Sequence, residues 1–433
     1  MKDLVFNIEK YSLNNGLEVI LYPQKNMPLV SVNVWYRTGS ANEQSEWDPL
    51  NHKKTGLAHL FEHMMFQGSL NVPKEMHFKY IQEAGGTLNG STNFDKTNYY
   101  EKLPSNALEL ALWLESDRMG FLLPALTEEK LANQIGVVKN ERLERYENQP
   151  YGLAWEKLLS LVFGEEHPYG NSTIGKMEDI LSFSIDDVTN FFNTFYQPKN
   201  ASLVVAGDFE ILKTQKLIEK YFGEIENKSA IPGVGFIDSS IKENAFYSYE
   251  DNVSLERIYL AWKTDKAFSP DDAVLDILAD LLTGTKGGRL IKKLVFEKQI
   301  AVDVSAFHFS GKYGGMFIIS STAKQGCSID EIKSVIFDEL NKVITNGIEK
   351  EELETSRARI NVSFIYSLQN LDTLANQFNH YNFYLGNPDS FTFDLNRYKR
   401  VEASHIKNSA EKFILKNYAE LRVIPKQNRI NNG

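Results

Sequence analysis

One order of elements occurs twice in this 433-residue chain, and that repetition constrains the fold more than any single motif. In the first half, a strand over 17–22 follows the turn pair Asn15-Gly16, and 29–36 alternates as a second strand. A polar loop over 38–55 leads into an apolar helix closed by Gly68. A helix over 74–84, ended by Gly85-Gly86, precedes short strands over 87–91 and 97–103. A helix over 106–120, a long charged helix over 127–147 and a strand over 201–208 complete this half. Residues 226–244 are polar, contain Pro232, Gly233 and Gly235, and have no helical period, so they read as a linker. The order then returns: a strand over 254–262, a helix over 271–282, strands over 301–309 and 315–322, a helix over 328–346 and a long charged helix over 349–368. The chain is therefore expected to divide into 1–225, a linker 226–244 and 245–433, with roughly 210 residues per copy.

The copies differ where chemistry can reside. Setting Gly68 against Gly284 (284 − 68 = 216) places His59, Glu62 and His63 opposite Leu275, Leu278 and Ala279. The second copy keeps the apolar helix without a polar group at any of the three positions, so packing alone does not require them. On a helix, residues three and four apart share a face, which sets His59 beside His63 with Glu62 next to both. Two imidazoles one turn apart can hold one zinc ion, and the neighbouring carboxylate can take a proton from an attacking water. The pattern H-x-x-E-H is the inverse of the commoner zinc-peptidase order. With eight His in the chain, it should arise by chance in roughly one such sequence in a hundred, which makes two incidental core histidines the poorer explanation.

A peptidase zinc site needs a third protein ligand and an open position. Glu141 and Glu144 lie one turn apart on the long charged helix, and either could face the metal.

Composition narrows the class. Hydrophobic residues make up 42% and charged residues 24%, ordinary for a soluble globular protein, and no apolar run approaches a membrane span. A net charge of −10 argues against a nucleic-acid partner. The single cysteine, Cys327, excludes an internal disulfide framework and a cysteine-rich metal site, and is expected to be inert. The first residues show no long apolar leader, so a cytoplasmic protein is expected, or a periplasmic one if a signal peptide has been removed.

His59-Leu60-Phe61-Glu62-His63, with Glu141 a further 141 − 63 = 78 residues on, resembles the insulinase/pitrilysin family of zinc peptidases, which includes the mitochondrial processing peptidase. The stretches 137–142 and 148–152, Gly85-Gly86-Thr87-Leu88-Asn89-Gly90-Ser91-Thr92, and His167-Pro168-Tyr169-Gly170 carry the same resemblance. It implies an α+β fold of two homologous tandem domains, each a mainly antiparallel sheet with helices packed on one side. It implies Zn2+ on His59, His63 and Glu141, Glu62 as general base, and Glu144 as a supporting or surface group. Peptide substrates would lie extended along Thr87, Leu88, Asn89, Gly90 and Ser91, inside a clamshell closed by a homologous second subunit or by a second copy.

The chain departs from the family pattern in its second half. Many active members carry an Arg and, seven residues later, a Tyr that help to hold the substrate carbonyl. The corresponding positions here are Val295 and Val302, with Arg289, Lys292 and Lys293 out of register. Some bacterial members divide the work between two chains, which makes this one the expected zinc-bearing subunit of a heterodimer. The alternative is a non-catalytic binding or assembly subunit, against which the intact ligand set argues. Gln134 stands where some members carry a second acid. The Gly284-to-Arg289 segment reads as a connecting loop, His308, His380 and His405 as structural, and Tyr99-Tyr100 as one core and one rim residue.

Overall fold

Alternation along Leu29–Tyr36 sets the first sheet. Val30, Val32, Val34 and Tyr36 fall on one face of this strand and Ser31, Asn33 and Trp35 on the other, and all seven are buried. The structure, a computed structural model, describes residues 4–44, 53–235 and 241–426. Parts of the expected loop over 38–55 (45–52) and linker over 226–244 (236–240), and both chain ends, lie outside the described residues.

The strands are β1 (Glu9–Ser12), β2 (Glu18–Pro23), β3 (Leu29–Tyr36), β4 (Thr87–Thr92), β5 (Thr97–Pro104), β6 (Ala201–Gly207), β7 (Ala245–Asp251), β8 (Arg257–Thr264), β9 (Ala301–Gly311), β10 (Gly314–Ala323) and β11 (Ala419–Pro425). The helices of the first sequence half are α1 (Leu57–Met64), α2 (Met76–Glu83), α3 (Leu108–Phe121), α4 (Glu128–Arg142), α5 (Ala154–Phe163), α6 (Met177–Leu181), α7 (Ile185–Phe195) and α8 (Ile211–Phe222). Those of the second are α9 (Asp272–Thr283), α10 (Ile329–Asn346), α11 (Lys350–Ser367), α12 (Leu371–Leu385), α13 (Phe391–Lys399) and α14 (Ala403–Ile414).

The first sheet runs β1-β2-β6-β3-β5-β4 and the second β7-β11-β8-β10-β9. In each, one pair is parallel (β2 with β6, β7 with β11) and the others are antiparallel. Apart from the added edge strand β1, the two sheets have the same order and sense. The duplication is thus present in the topology, and the fold is α+β with two tandem copies. Asn15-Gly16 makes the β1–β2 turn, with Gly16 at φ +87°.

The compact units draw on both sequence halves. The first contains Met1–Arg142, Asn171–Phe236 and Phe364–Thr392; the second contains Leu143–Gly170, Ile237–Ser363 and Phe393–Gly433. Each sheet carries its main helical layer on one face, and each also receives a helix on the other. In the first unit that helix is α12. Asn379 donates to the Asn33 carbonyl at 3.0 Å and its side-chain oxygen accepts from Ser202 at 2.6 Å. Trp35 donates to Asn376 at 3.0 Å, and Asn382 donates to Glu18 at 2.7 Å. A row of asparagines thus bonds the Asn33 carbonyl, Trp35, Ser202 and Glu18, whereas the buried Ser31 hydroxyl has no hydrogen-bond partner among the described residues.

In the second unit the corresponding helix is α5, packed on β11 and β8. Lys263, on the β8 face opposite Trp262, lies over the Phe163 ring at 5.5 Å, and Trp155 stacks on Phe307 at 6.2 Å. The His167-to-Gly170 stretch belongs to this packing. His167 stacks on Phe163, and the Tyr169 hydroxyl accepts from the Tyr313 amide at 3.0 Å. A Cβ on Gly170 would sit 1.9 Å from the Gly164 carbonyl oxygen, so no side chain fits there.

Candidate metal centre

The site is built from the start of α1. Gly56 precedes the helix at φ +90°, and a Cβ there would come within 2.5 Å of the Ile174 carbonyl oxygen. Glu43, in the 3-10 turn Ser40–Gln44, caps the helix, accepting from the Gly56 amide at 2.9 Å and the Ala58 amide at 2.7 Å. Its burial is nearly complete and pushes the carboxyl up to about 8, with the amides pulling down and Asp179 adding to the rise. An acid with a raised folded pKa binds its proton more tightly in the folded chain. Its contribution therefore favours folding at low pH and is lost as pH rises from the ordinary carboxylate range through about 8. Glu43→Gln removes this titration. Thermal unfolding of both proteins across that range should show wild type losing stability relative to the variant, by at most about 1.4 kcal/mol per pH unit. A difference independent of pH would contradict the assignment.

Helix α1 buries Leu57, Ala58, Leu60, Phe61 and Met64. Phe61 anchors it against Tyr196, with ring centroids 4.1 Å apart. His59, Glu62 and His63 fall on the remaining, half-buried face. Glu141 comes from the last turn of α4. Its Oε2 lies 3.3 Å from His63 Nε2 and 3.8 Å from His59 Nε2, and the imidazole rings are 4.9 Å apart at 74°. A tetrahedral zinc with bonds near 2.1 Å holds neighbouring donors about 3.4 Å apart, so this N/N/O set fits a zinc ion without rearrangement of the backbone. Glu144 is exposed in the π-helical turn Leu143–Glu147 that follows α4, and it is not among the grouped donors. Gln134 is buried two turns before Glu141.

Glu62 is held by the edge strand. The Thr92 hydroxyl donates to its Oε2 at 2.6 Å. Burial raises the Glu62 carboxyl, while Thr92 and then His63 draw it back. Gly90 lies directly against the same side chain: a Cβ there would stand 3.2 Å from Glu62 Cγ and 3.2 Å from Tyr99 Cδ1. Gly90→Ala must shift one of them by a few tenths of an ångström. We expect about a tenfold loss of kcat in a peptide assay with little change in melting temperature. Unchanged turnover would show that Glu62 need not stay where Gly90 lets it.

Among the described residues, strand β4 ends its sheet and has no strand paired to its outer edge. Thr87, Asn89 and Ser91 are exposed along it, and Leu88, Gly90 and Thr92 are half-buried toward α1. Beneath it lies a cluster that sequence reasoning missed. His77, Glu101 and Glu115 converge with Arg118, which donates to Glu115 at 2.9 Å and lies 3.3 Å from Glu101. The guanidinium supplies the positive charge that a metal would bring, and it lies 4.2 Å over the Tyr99 ring. The cluster therefore props Tyr99 under Gly90. Its one sequence signal was the i,i+3 pair Glu115 and Arg118.

The other singled-out residues have structural places. Tyr99 is fully buried and Tyr100 half-buried. His308 hydrogen-bonds Thr264 at 2.9 Å, His380 packs on Trp35, and His405 caps α14. Cys327 is half-buried against the second core.

Comparison with known proteins gives two family models in tandem. Residues 19–176 match the model described as Insulinase (Peptidase family M16), and 182–360 match Peptidase M16 inactive domain. The chain belongs to the M16 peptidase family. The second M16 model spans Leu275, Leu278 and Ala279, which the Gly68–Gly284 alignment sets opposite His59, Glu62 and His63. The zinc protease PqqE of Helicobacter pylori is 29% identical, over 86% of this chain and 83% of that one. A crystal structure of a Helicobacter pylori protease aligns with a TM-score of 0.89 at 26% identity, covering 98% of this chain and 100% of that one. A probable mitochondrial-processing peptidase subunit beta of Arabidopsis thaliana is 22% identical over 93% of this chain and 75% of its own length. Among the described residues, no helix is long and apolar enough to cross a membrane.

Proposed function

We propose that this chain is the zinc-bearing subunit of a two-subunit M16 endopeptidase acting on peptides or unfolded segments. One observation carries the reading: His59, His63 and Glu141 bring three donors within 4.8 Å of one another beside Glu62. These three would hold the ion. Zinc bound there would supply Lewis acidity toward a peptide carbonyl and acidify a water. Thr92 pins Glu62 Oε2, which leaves Oε1 to take the proton of the attacking water and return it to the leaving amine. An extended peptide adds to the free edge of β4 through main-chain hydrogen bonds, with Thr87, Leu88, Asn89, Gly90 and Ser91 as its strand partner.

The second half supports a divided site. Val295 packs against the core of its unit, and Val302 is half exposed on β9; neither can donate a hydrogen bond from its side chain. The cations out of register are engaged locally: Arg289 is held by both oxygens of Glu352 at 2.8 and 2.6 Å, and Lys293 lies 2.8 Å and Lys292 3.9 Å from Glu297. The Arg/Tyr function therefore falls to a homologous partner. The halves 1–225 and 245–433 remain our division of the duplicated chain. Peptide cleavage by the purified chain, alone and mixed with a homologous M16 chain that carries the Arg/Tyr pair, tests this. Activity should require both; full activity of a homodimer would refute the division.

A further inference from the structure

Lys96 has no part in the chemistry above, yet it is only 8% exposed. Its Nζ donates to Ser91 Oγ at 2.9 Å and to Asn98 Oδ1, and it lies 4.8 Å over the Trp35 ring. Among the described residues, no carboxylate is within ion-pair distance of it. Burial pulls the ammonium down to about 8, with the more distant Glu62 pulling back. A cavity of about 230 Å³ opens over it, lined by Ser91, Lys96, Asn98, Tyr100, Asp372 and Asn376. The one acid in that lining, Asp372, is already paired with Lys102 at 2.8 Å. The cavity therefore offers a buried ammonium hydrogen-bonded to neutral groups, with Asp372 in the same lining bound to Lys102 through Oδ2 and its Oδ1 without a hydrogen-bond partner among the described residues.

Its position relative to β4 indicates what would enter. Gly90 and Thr92 face Glu62, so Ser91 faces away, and it pairs with Asn98 on the Lys96 side. A peptide strand on the free edge of β4 puts alternate side chains on that same face. The one beside Ser91 has its Cβ about 5 Å from that of Ser91, near enough for a Glu or Asp carboxylate to meet Nζ. Because Glu62 lies over positions 90 to 92, that peptide residue sits next to the bond that is cut.

We propose that the Lys96 cavity is a subsite for an acidic side chain of the peptide, immediately beside the scissile bond. This rests on the peptidase reading of the site. Two sets of measurements separate the two claims. The first is kcat/KM for peptides that differ only as Glu, Gln or Lys at each position flanking the cleaved bond. At one position Glu should exceed Lys by about tenfold or more. Lys96→Arg should keep that ratio and Lys96→Glu should invert it, with folding and zinc content checked for each. The ratio within one protein is independent of its overall activity, and the wild-type ratio stands even if a variant fails to fold. No preference for Glu in wild type, or an unchanged ratio in folded Lys96→Glu, overturns the proposal. A preference seen only for a terminal carboxylate, and abolished by amidation, also overturns it. The second is binding of the same labelled peptides to Glu62→Gln, followed by fluorescence anisotropy. Tighter binding of the Glu peptide, with no hydrolysis by wild type plus partner, would keep the subsite and defeat the peptidase reading. Hydrolysis without charge preference would do the reverse.

Discussion

Glu62→Gln is expected to bind one zinc ion as wild type does and to lose peptide hydrolysis by at least about 10³-fold. The carboxamide has nearly the volume of the carboxylate, so the cradle of Thr92, Gly90 and His63 survives. Its carbonyl oxygen can still accept from Thr92 in place of Oε2. What the amide cannot do is take a proton at neutral pH and return it to a departing amine. The loss should therefore fall on kcat, with peptide affinity kept within a few fold. Because Glu62 is not one of the three converging donors, metal content should not change. Normal turnover by the zinc-loaded variant would remove Glu62 from the mechanism.

Glu141→Gln should lower zinc affinity by more than about 100-fold, whereas Glu144→Gln should leave it unchanged. The lower bound is the cost of disturbing a group that merely supports a ligand; removal of a charged ligand must exceed it. The contrast between neighbours one turn apart follows from the end of α4. Arg142, buried, donates to the Gly175 carbonyl at 2.5 Å and fixes the helix there, just after Glu141 has faced the histidines. The chain then passes into the π-helical turn Leu143–Glu147, on which Glu144 is exposed. Competition with a chromophoric chelator measures both affinities. Equal losses in the two variants would mean that either acid can serve, and that the geometry of Glu141 is not decisive.

The legibility of this site from sequence followed the range of the interactions that build it. His59, Glu62 and His63 share a face through local helical periodicity, so their relation was readable at once. Strand β3 was readable for the same reason, and its bounds match the expected 29–36. Glu141 was not readable from the residues alone, because Glu141 and Glu144 are equivalent on an uninterrupted helix. The expected helix over 127–147 instead ends at Arg142 and changes to π geometry, a tertiary effect. Asn376, Asn379 and Asn382 carry the pattern of a solvated helix face but lie on the polar face of the first sheet, supplied from the far half of the sequence. Nothing local marks that pairing. Lys96 reads as an ordinary surface lysine in a turn, and only the fold buries it.

Hydrolysis is expected to depend on zinc held by His59, His63 and Glu141. The most direct test is the rate of peptide cleavage, with the partner chain present, as bound zinc is removed by a chelator and then restored. The rate should be proportional to occupancy, reach its maximum at one zinc per chain and return on zinc addition. Cleavage that persists after complete zinc removal would contradict it.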